Sequence, residues 1–362
     1  MQKETGTDPL ASATSDAEPV TQDGEVMPAA RYSCAQSDGL EYICGPTASE
    51  DLARIPGTRW LIASGMNLGS PAHLYLIDDR TKRARILFPI GTPTMRADPA
   101  CRSASAEPPR LATMSIDGIN LRAGSNQQHI LYGANHGDRY AIEMFRIDAR
   151  AAVPTASWIG CVPAPPGTRP NAVVPVSSGG LIIGSFYDPR DENAWVRMGR
   201  GEHTGTLWEW HADHGFRAID TGGISGANGL EISADETTIY ASAWSGGAIL
   251  MLDRRTGARC VIPVDFLPDN IKRAADGTLL IAGQRSSVAK IAACRGPECP
   301  QNWIIVRVDP VLGTVTPLVT RPGTAMINYA CAALEVEGTL YITARGDRRL
   351  AYIATASLPS LH

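Results

Sequence analysis

The chain has 362 residues and a net charge of −4, with acidic and basic side chains spread along its whole length. That balance offers no basic block to nucleic acid and no acidic tail to a solvating partner, and no apolar run approaches the roughly 20 residues that span a bilayer. With 44% apolar residues, and with 35 Gly and 26 Pro set as punctuation between short apolar runs, the composition points to many short strands and tight turns around a substantial core.

Residues 1–30 are rich in Thr, Ser, Asp, Glu, Pro and Ala. They lack the apolar stretch of an intact signal peptide and read as a disordered leader. Residues 31–358 read as a single domain built from one recurring unit. The unit has a polar or acidic residue, a short apolar strand, a turn, and a second apolar strand that ends in small or polar residues.

The first unit runs from Glu50-Asp51-Leu52 through a Pro56-Gly57 turn into 60–65. The second runs from Asp117-Gly118-Ile119 through Gly124-Ser125-Asn126 into 130–135. The third opens at Asn171, turns at Gly179-Gly180 and continues over 181–186. The fourth opens at Asn228-Gly229, turns at Ala234-Asp235 and continues over 238–244. The fifth opens at Asp269-Asn270, turns at Asp276-Gly277 and continues over 278–283. The sixth opens at Cys331, turns at Glu337-Gly338 and continues over 339–343.

Six units at intervals of about 40–70 residues predict an all-β, six-bladed β-propeller with four-stranded blades. The visible pair would be each blade's inner hairpin. Segments 74–78, 141–147, 248–253 and 303–308 would be outer strands. The glycine-rich stretch 199–205 reads as a loop between blades. Trp208, Trp210, His211 and His214 read as strand packing.

The eight cysteines are even in number and contain no Cys-x-x-Cys pair. That favours disulfides over zinc and an oxidising, secreted or periplasmic setting. Cys294 with Cys299 and Cys34 with Cys44 are the local candidates for pairing.

The residues that open the units carry the chemistry. In a propeller the equivalent ends of the inner strands face one end of the central channel. Glu50, Asp117, Asn171, Asn228, Asp269 and Asn270 would therefore converge. Their oxygens suit a hard cation such as calcium, which takes about six to eight oxygen ligands. Zinc would call for Cys or His. Taken singly, each of these residues is also an ordinary turn residue. Recurrence at matching points of a repeat is what marks them. No Gly-x-Ser-x-Gly elbow and no His-Glu-x-x-His motif offers a competing hydrolytic centre.

At these positions the chain resembles the paraoxonases and, more loosely, the gluconolactonase (senescence-marker-like) and strictosidine synthase-like propellers. Ser49-Glu50-Asp51-Leu52, the run 131–136, Arg169-Pro170-Asn171, Asn228-Gly229 and Asp269-Asn270-Ile271 carry the resemblance, which extends over 49–345. It implies a catalytic calcium on Glu50, Asn171, Asn228, Asp269 and Asn270, with His136 beside it. It also implies a second, structural calcium at Asp51 and the backbone of Ile119. The chain departs from the paraoxonase pattern at Ala172, where an acidic residue contributes to that second site. It departs again at Asp117, where the first histidine of the catalytic pair falls. The hydrophobic N-terminal helix of paraoxonases has no counterpart.

The implied activity is calcium-dependent hydrolysis of a small-molecule lactone or related ester, as by a lactonase or arylesterase. The metal would polarise the carbonyl, and Asp117 or His136 would serve as base. Asp269 would be mainly a ligand, although a carboxylate on the metal could also be a nucleophile. Asp117 as a further ligand, and His136 as a structural histidine, stay open. So do two other readings, a non-catalytic propeller that binds a partner and a strictosidine synthase-like enzyme.

Overall fold

The computed structural model describes residues 34–89, 113–137, 139–294, 298–345 and 348–358. The leader and Cys101 lie outside them. Among the described residues, twenty-four strands form six four-stranded antiparallel sheets. The inner strands are Ser49–Arg54, Ile116–Arg122, Pro170–Pro175, Ala227–Ile232, Leu267–Arg273 and Ala330–Val336. Each touches the inner strands of both flanking blades, which closes the ring. The protein is a six-bladed β-propeller.

Five blades are built in chain order. The sixth takes its outermost strand, Glu41–Cys44, from the other end of the chain, where it pairs with Arg349–Ala354. This pairing ties the two ends of the ring together. A Cys34–Cys44 disulfide anchors the closing strand.

The second strand of each blade explains the apolar runs. Trp60–Gly65, Leu181–Ser185 and Leu279–Gln284 are buried along their whole length. Both faces of a blade are covered by its neighbours, so both faces must be apolar and strict alternation disappears. The core is accordingly divided into wedges between adjacent blades. Ile62 and Leu76 of blade one meet Ile116 and Phe145 of blade two, and Leu52 and Tyr75 of blade one meet Val336 and Tyr341 of blade six.

The outer-strand segments expected from the sequence are the third strands of their blades, Leu74–Asp78, Tyr140–Asp148, Ala248–Asp253 and Trp303–Asp309. Each ends in an aspartate whose carboxylate accepts backbone N–H groups of the turn that follows. Asp253 takes those of Arg255 at 2.9 Å and Thr256 at 2.7 Å, and Asp309 those of Val311 at 2.8 Å and Leu312 at 3.0 Å. A side chain that mimics the turn's own acceptor fixes the reversal.

One expectation is corrected. The stretch 199–205 lies inside blade three, between its second and third strands, where a short helix Ala194–Gly199 is inserted. Blade five carries a matching insertion, the helix Val288–Ala293. The two helices touch, sharing an apolar cluster with Phe186, Trp244 and Leu267.

Candidate functional site

All six inner strands break register at the same point. The irregularity falls between Ser49 and Leu52, Ile116 and Ile119, Pro170 and Ala172, Ala227 and Leu230, Pro268 and Ile271, and Ala330 and Ala333. A bulge leaves residues out of the ladder and re-aims their side chains. The residues so released are Glu50 with Asp51, Asp117, Asn171, Asn228, Asp269 with Asn270, and Cys331. The strands crowd together here. A Cβ on Gly118 would stand 2.6 Å from the carbonyl oxygen of Asn171, and one on Gly229 would stand 2.5 Å from that of Asp269. Only glycine fits at either place.

The structure brings together every residue expected at the channel. Five of them present an oxygen that is buried and has no hydrogen-bond partner: Glu50 Oε2, Asp117 Oδ1, Asn171 Oδ1, Asn228 Oδ1 and Asp269 Oδ1. Asn171 shows the reason for its orientation: its Nδ2 donates to Asp117 Oδ2 at 2.6 Å, which leaves Oδ1 without a donor. Asn270 Nδ2 donates to the backbone oxygen of Glu50 at 3.3 Å and reaches its Oε1 at 3.5 Å.

Buried acceptors without donors are costly. Five of them in one place, three from carboxylates, fit a hard cation with oxygen ligands. The electrostatics agree. Burial, then the charges of Asp269 and Asp117, push Glu50 well above the usual carboxylate range. Burial, opposed by the Gln284 hydrogen bond and reinforced by the Asp117 charge, pushes Asp269 up to about 8.

Asp117 behaves differently. Burial raises it, but the His136 and Arg169 charges and the Asn171 hydrogen bond outweigh that and hold it below its ordinary value. His136 Nε2 lies 2.6 Å from Asp117 Oδ2, and Arg169 Nη2 lies 3.1 Å from the same nitrogen. The 2.6 Å contact is the shorter of the two, and with Asp117 a carboxylate it assigns the proton of the neutral ring to Nε2, which donates to Asp117 and leaves Nδ1 as the ring's acceptor.

The sixth released residue is Cys331. It was grouped with the disulfide candidates, but it is a buried free thiol. Its sulfur and the carboxylate oxygens of Glu50 and Asp269 lie within 4.8 Å of one another. Cys260 is also free, whereas Cys294–Cys299 is paired and Cys161 is disulfide-bonded.

The place expected for a second calcium is taken by the chain itself. Lys272 Nζ lies 2.7 Å from Asp51 Oδ2 and 2.9 Å from the carbonyl oxygen of Ile119. Asp51 also accepts the backbone N–H groups of Leu52 and Ile119, each at 2.8 Å. An ammonium with three donors replaces the cation, and the expectation of a second ion there is withdrawn.

Above the oxygen cluster opens a cavity of about 690 Å³. Its walls include Phe186, Tyr187, Trp195, Trp244, Arg169 and Arg345. Gln284 joins wall to floor, because its amide nitrogen donates to Asp269 and its oxygen accepts from Trp244 Nε1 at 2.9 Å. Sequence reasoning missed Gln284, Arg345, Trp195 and Lys272. For Gln284 the available signal was its position, one residue past the apolar run of a second strand. Trp208 and Trp210 do pack within blade three, around Phe216. His211 and His214 stack at an exposed turn that forms no part of the cavity.

No family model matches the sequence, and no curated protein is significantly similar to it. Solved structures do share its fold. One is a luciferin-regenerating enzyme, 14% identical with a TM-score of 0.55, covering 88% of this chain and 94% of that one. Another is a gluconolactonase from Xanthomonas campestris, 18% identical with a TM-score of 0.54, covering 88% and 90%. A third is the calcium-binding protein regucalcin from Agrobacterium tumefaciens, 14% identical with a TM-score of 0.51, covering 86% and 94%. At these identities the likeness is one of fold.

Proposed function

We propose that this propeller is a calcium-dependent hydrolase of lactones or related esters. The observation that carries the reading is the set of five unpartnered buried oxygens beside the Asp117–His136 pair. The names of two structural neighbours, a gluconolactonase and a calcium-binding protein, lend support. Calcium would be held by Glu50, Asn171, Asn228 and Asp269, with Asp117 as a further oxygen ligand and Asn270 bracing Glu50. When bound, it supplies positive charge for the carbonyl oxygen as negative charge develops there.

The chain's own residues do the rest. Asp117 fixes the tautomer of His136 through Nε2, which leaves Nδ1 to take a proton from the attacking water. Asp117 is held ionised and both its oxygens are committed, so it positions the imidazole and is a poor base. Asp269 accepts from Gln284 and serves as a ligand. The aromatic wall excludes bulk water and packs against the apolar part of the substrate. The Cys34–Cys44 and Cys294–Cys299 pairs support an oxidising compartment, secreted or periplasmic.

The test is a panel of lactones and aryl esters assayed with calcium and with excess chelator. Turnover that needs calcium, and that falls roughly 10²–10⁴-fold in His136→Gln, supports the reading. A binding-only propeller predicts no turnover under either condition. Full activity in chelator would remove the metal from the mechanism.

A further inference from the structure

The wall of the cavity holds a charge that the hydrolytic mechanism does not use. Arg345 stacks on Tyr329 at 5.3 Å and lines the cavity. Among the described residues its guanidinium has no hydrogen-bond or ion-pair partner. A guanidinium carries five N–H donors and keeps its charge at any ordinary pH. Arginines elsewhere in the molecule hold carboxylates. Arg139 grips Glu143 with two bonds of 2.8 Å, and Arg307 holds Glu335 at 2.6 Å. Arg169, on the same cavity, lies over Tyr187 at 5.4 Å with its Nη2 3.1 Å from His136 Nε2.

We infer that the site selects an anionic ligand, a carboxylate joined to a flat apolar body, and that Arg345 receives the carboxylate. The term substrate for such a ligand rests on the hydrolase reading; the selection of an anion does not. The local charge favours it. With calcium bound and Glu50, Asp117 and Asp269 ionised, the described lining, which includes Arg169 and Arg345 and a neutral His136, carries one net positive charge. The loaded cavity then attracts an anion, and Arg345 is the group whose donors are free to bind it bidentately.

The aromatic wall accounts for the rest of the ligand. Phe186 and Trp244 meet at 5.3 Å, Trp195 and Trp244 at 5.9 Å, and Tyr187 and Trp195 at 6.4 Å. Four contiguous rings form an apolar surface against which a flat body packs.

The probes are 3-phenylpropionate and its uncharged amide. Each is titrated against the calcium-loaded full chain with tryptophan fluorescence as readout. The acid is expected to bind at least about tenfold more tightly than the amide, the scale of one charge-assisted hydrogen-bonded pair. Arg345→Gln is expected to erase that preference, and Arg345→Lys to keep part of it. Equal affinities in the wild type overturn the inference. So does a preference that survives in Arg345→Gln, because the carboxylate is then held by the metal alone. Charge-selective binding with no turnover of any lactone would defeat the hydrolase reading and leave this inference standing. Turnover without preference for anionic lactones, together with equal probe affinities, would do the reverse.

Discussion

Two groups of buried oxygens lie next to each other on the same inner strands, and they are satisfied in opposite ways. Glu50 and Asp51 are adjacent residues released by one bulge. Asp51 has a full set of donors in Leu52, Ile119 and Lys272. Glu50 belongs to the cluster in which five acceptor oxygens have none. Burying a carboxylate requires compensation. At Asp51 the chain brings its own cation, and the site is closed. At Glu50 it brings the single amide of Asn270 and otherwise more acceptors, and on the proposed reading a cation from solution completes the site. On that reading the contrast separates a charge kept for architecture from charges kept for chemistry.

The largest effect should come from breaking the closed group. Lys272→Met leaves Asp51 buried beside neutral groups and is expected to cost about 3–5 kcal/mol, the usual result of removing one partner of a buried pair. Chemical denaturation measures it. The loss should be the same with and without calcium, and the metal stoichiometry should stay at one. If calcium rescues Lys272→Met and a second ion binds, the two groups differ only in occupancy, and the contrast fails.

Chelation tests the open group. A ligand that binds only the folded state stabilises it by roughly 3–4 kcal/mol when present at about 100–1,000 times its Kd. Excess EDTA should therefore lower the melting temperature by roughly 5–15 °C. Superimposable melting curves would show that the five oxygens are left bare in the working protein.

Much of this was legible in the sequence, for physical reasons that also mark where legibility stopped. The inner hairpins stood out because strands covered on both faces must be continuously apolar, as Leu181–Ser185 is. Outermost strands such as Arg259–Pro263 are mostly exposed and carry no such pattern. The closing strand Glu41–Cys44 belongs to a repeat whose other strands lie some 290 residues away, so counting units along the chain does not find it. The oxygen ring was readable because five units open with similar residue types. Cys331 occupies the sixth matching position, but its residue type suggested pairing. Lys272 and Arg345 are single basic residues on strand or strand-end positions, and nothing in residue type separates a buried lysine from a solvated one. Gln284 offers only the signal of its position past an apolar run, and its partner Asp269 is set beside it by the fold.

The pH dependence of calcium affinity separates the groups further. Without metal, burial holds Asp269 near about 8 and Glu50 well above its ordinary value. A carboxyl group whose folded pKa is raised contributes stability that is complete below its unfolded pKa, about 3.9. That contribution is lost as pH rises through the folded value. Metal-free protein should therefore be less stable at pH 8 than at pH 5. Calcium must displace the retained protons, so its affinity should fall as pH falls, by up to about 100-fold between pH 8 and pH 6 for one proton released. Calorimetry in buffers of different ionisation enthalpy counts the protons. An affinity independent of pH over that range would mean that the carboxylates are ionised before the metal binds.

The smallest effect is also the most discriminating, because it distinguishes two asparagines that the sequence treats alike. Asn228 offers an unpartnered oxygen to the cluster. Asn270 spends its nitrogen on Glu50, and its oxygen is not among the five. Asn228→Ala removes a neutral ligand and is expected to weaken calcium binding by about tenfold or more, equivalent to roughly 1.4 kcal/mol. Asn270→Ala removes a brace and should cost less. The stabilities should diverge as well. In metal-free protein, Asn228→Ala deletes a buried oxygen that had no donor, so little stability is lost there. In calcium-saturated protein the same change removes a bond to the ion, and the melting temperature should drop. Titration calorimetry and paired melts of both variants decide the matter. Equal losses of affinity in the two variants would show that calcium draws on both amides alike. A drop in melting temperature for Asn228→Ala that is as large without calcium as with it would make Asn228 a structural residue, and the open cluster would lose one of its five oxygens.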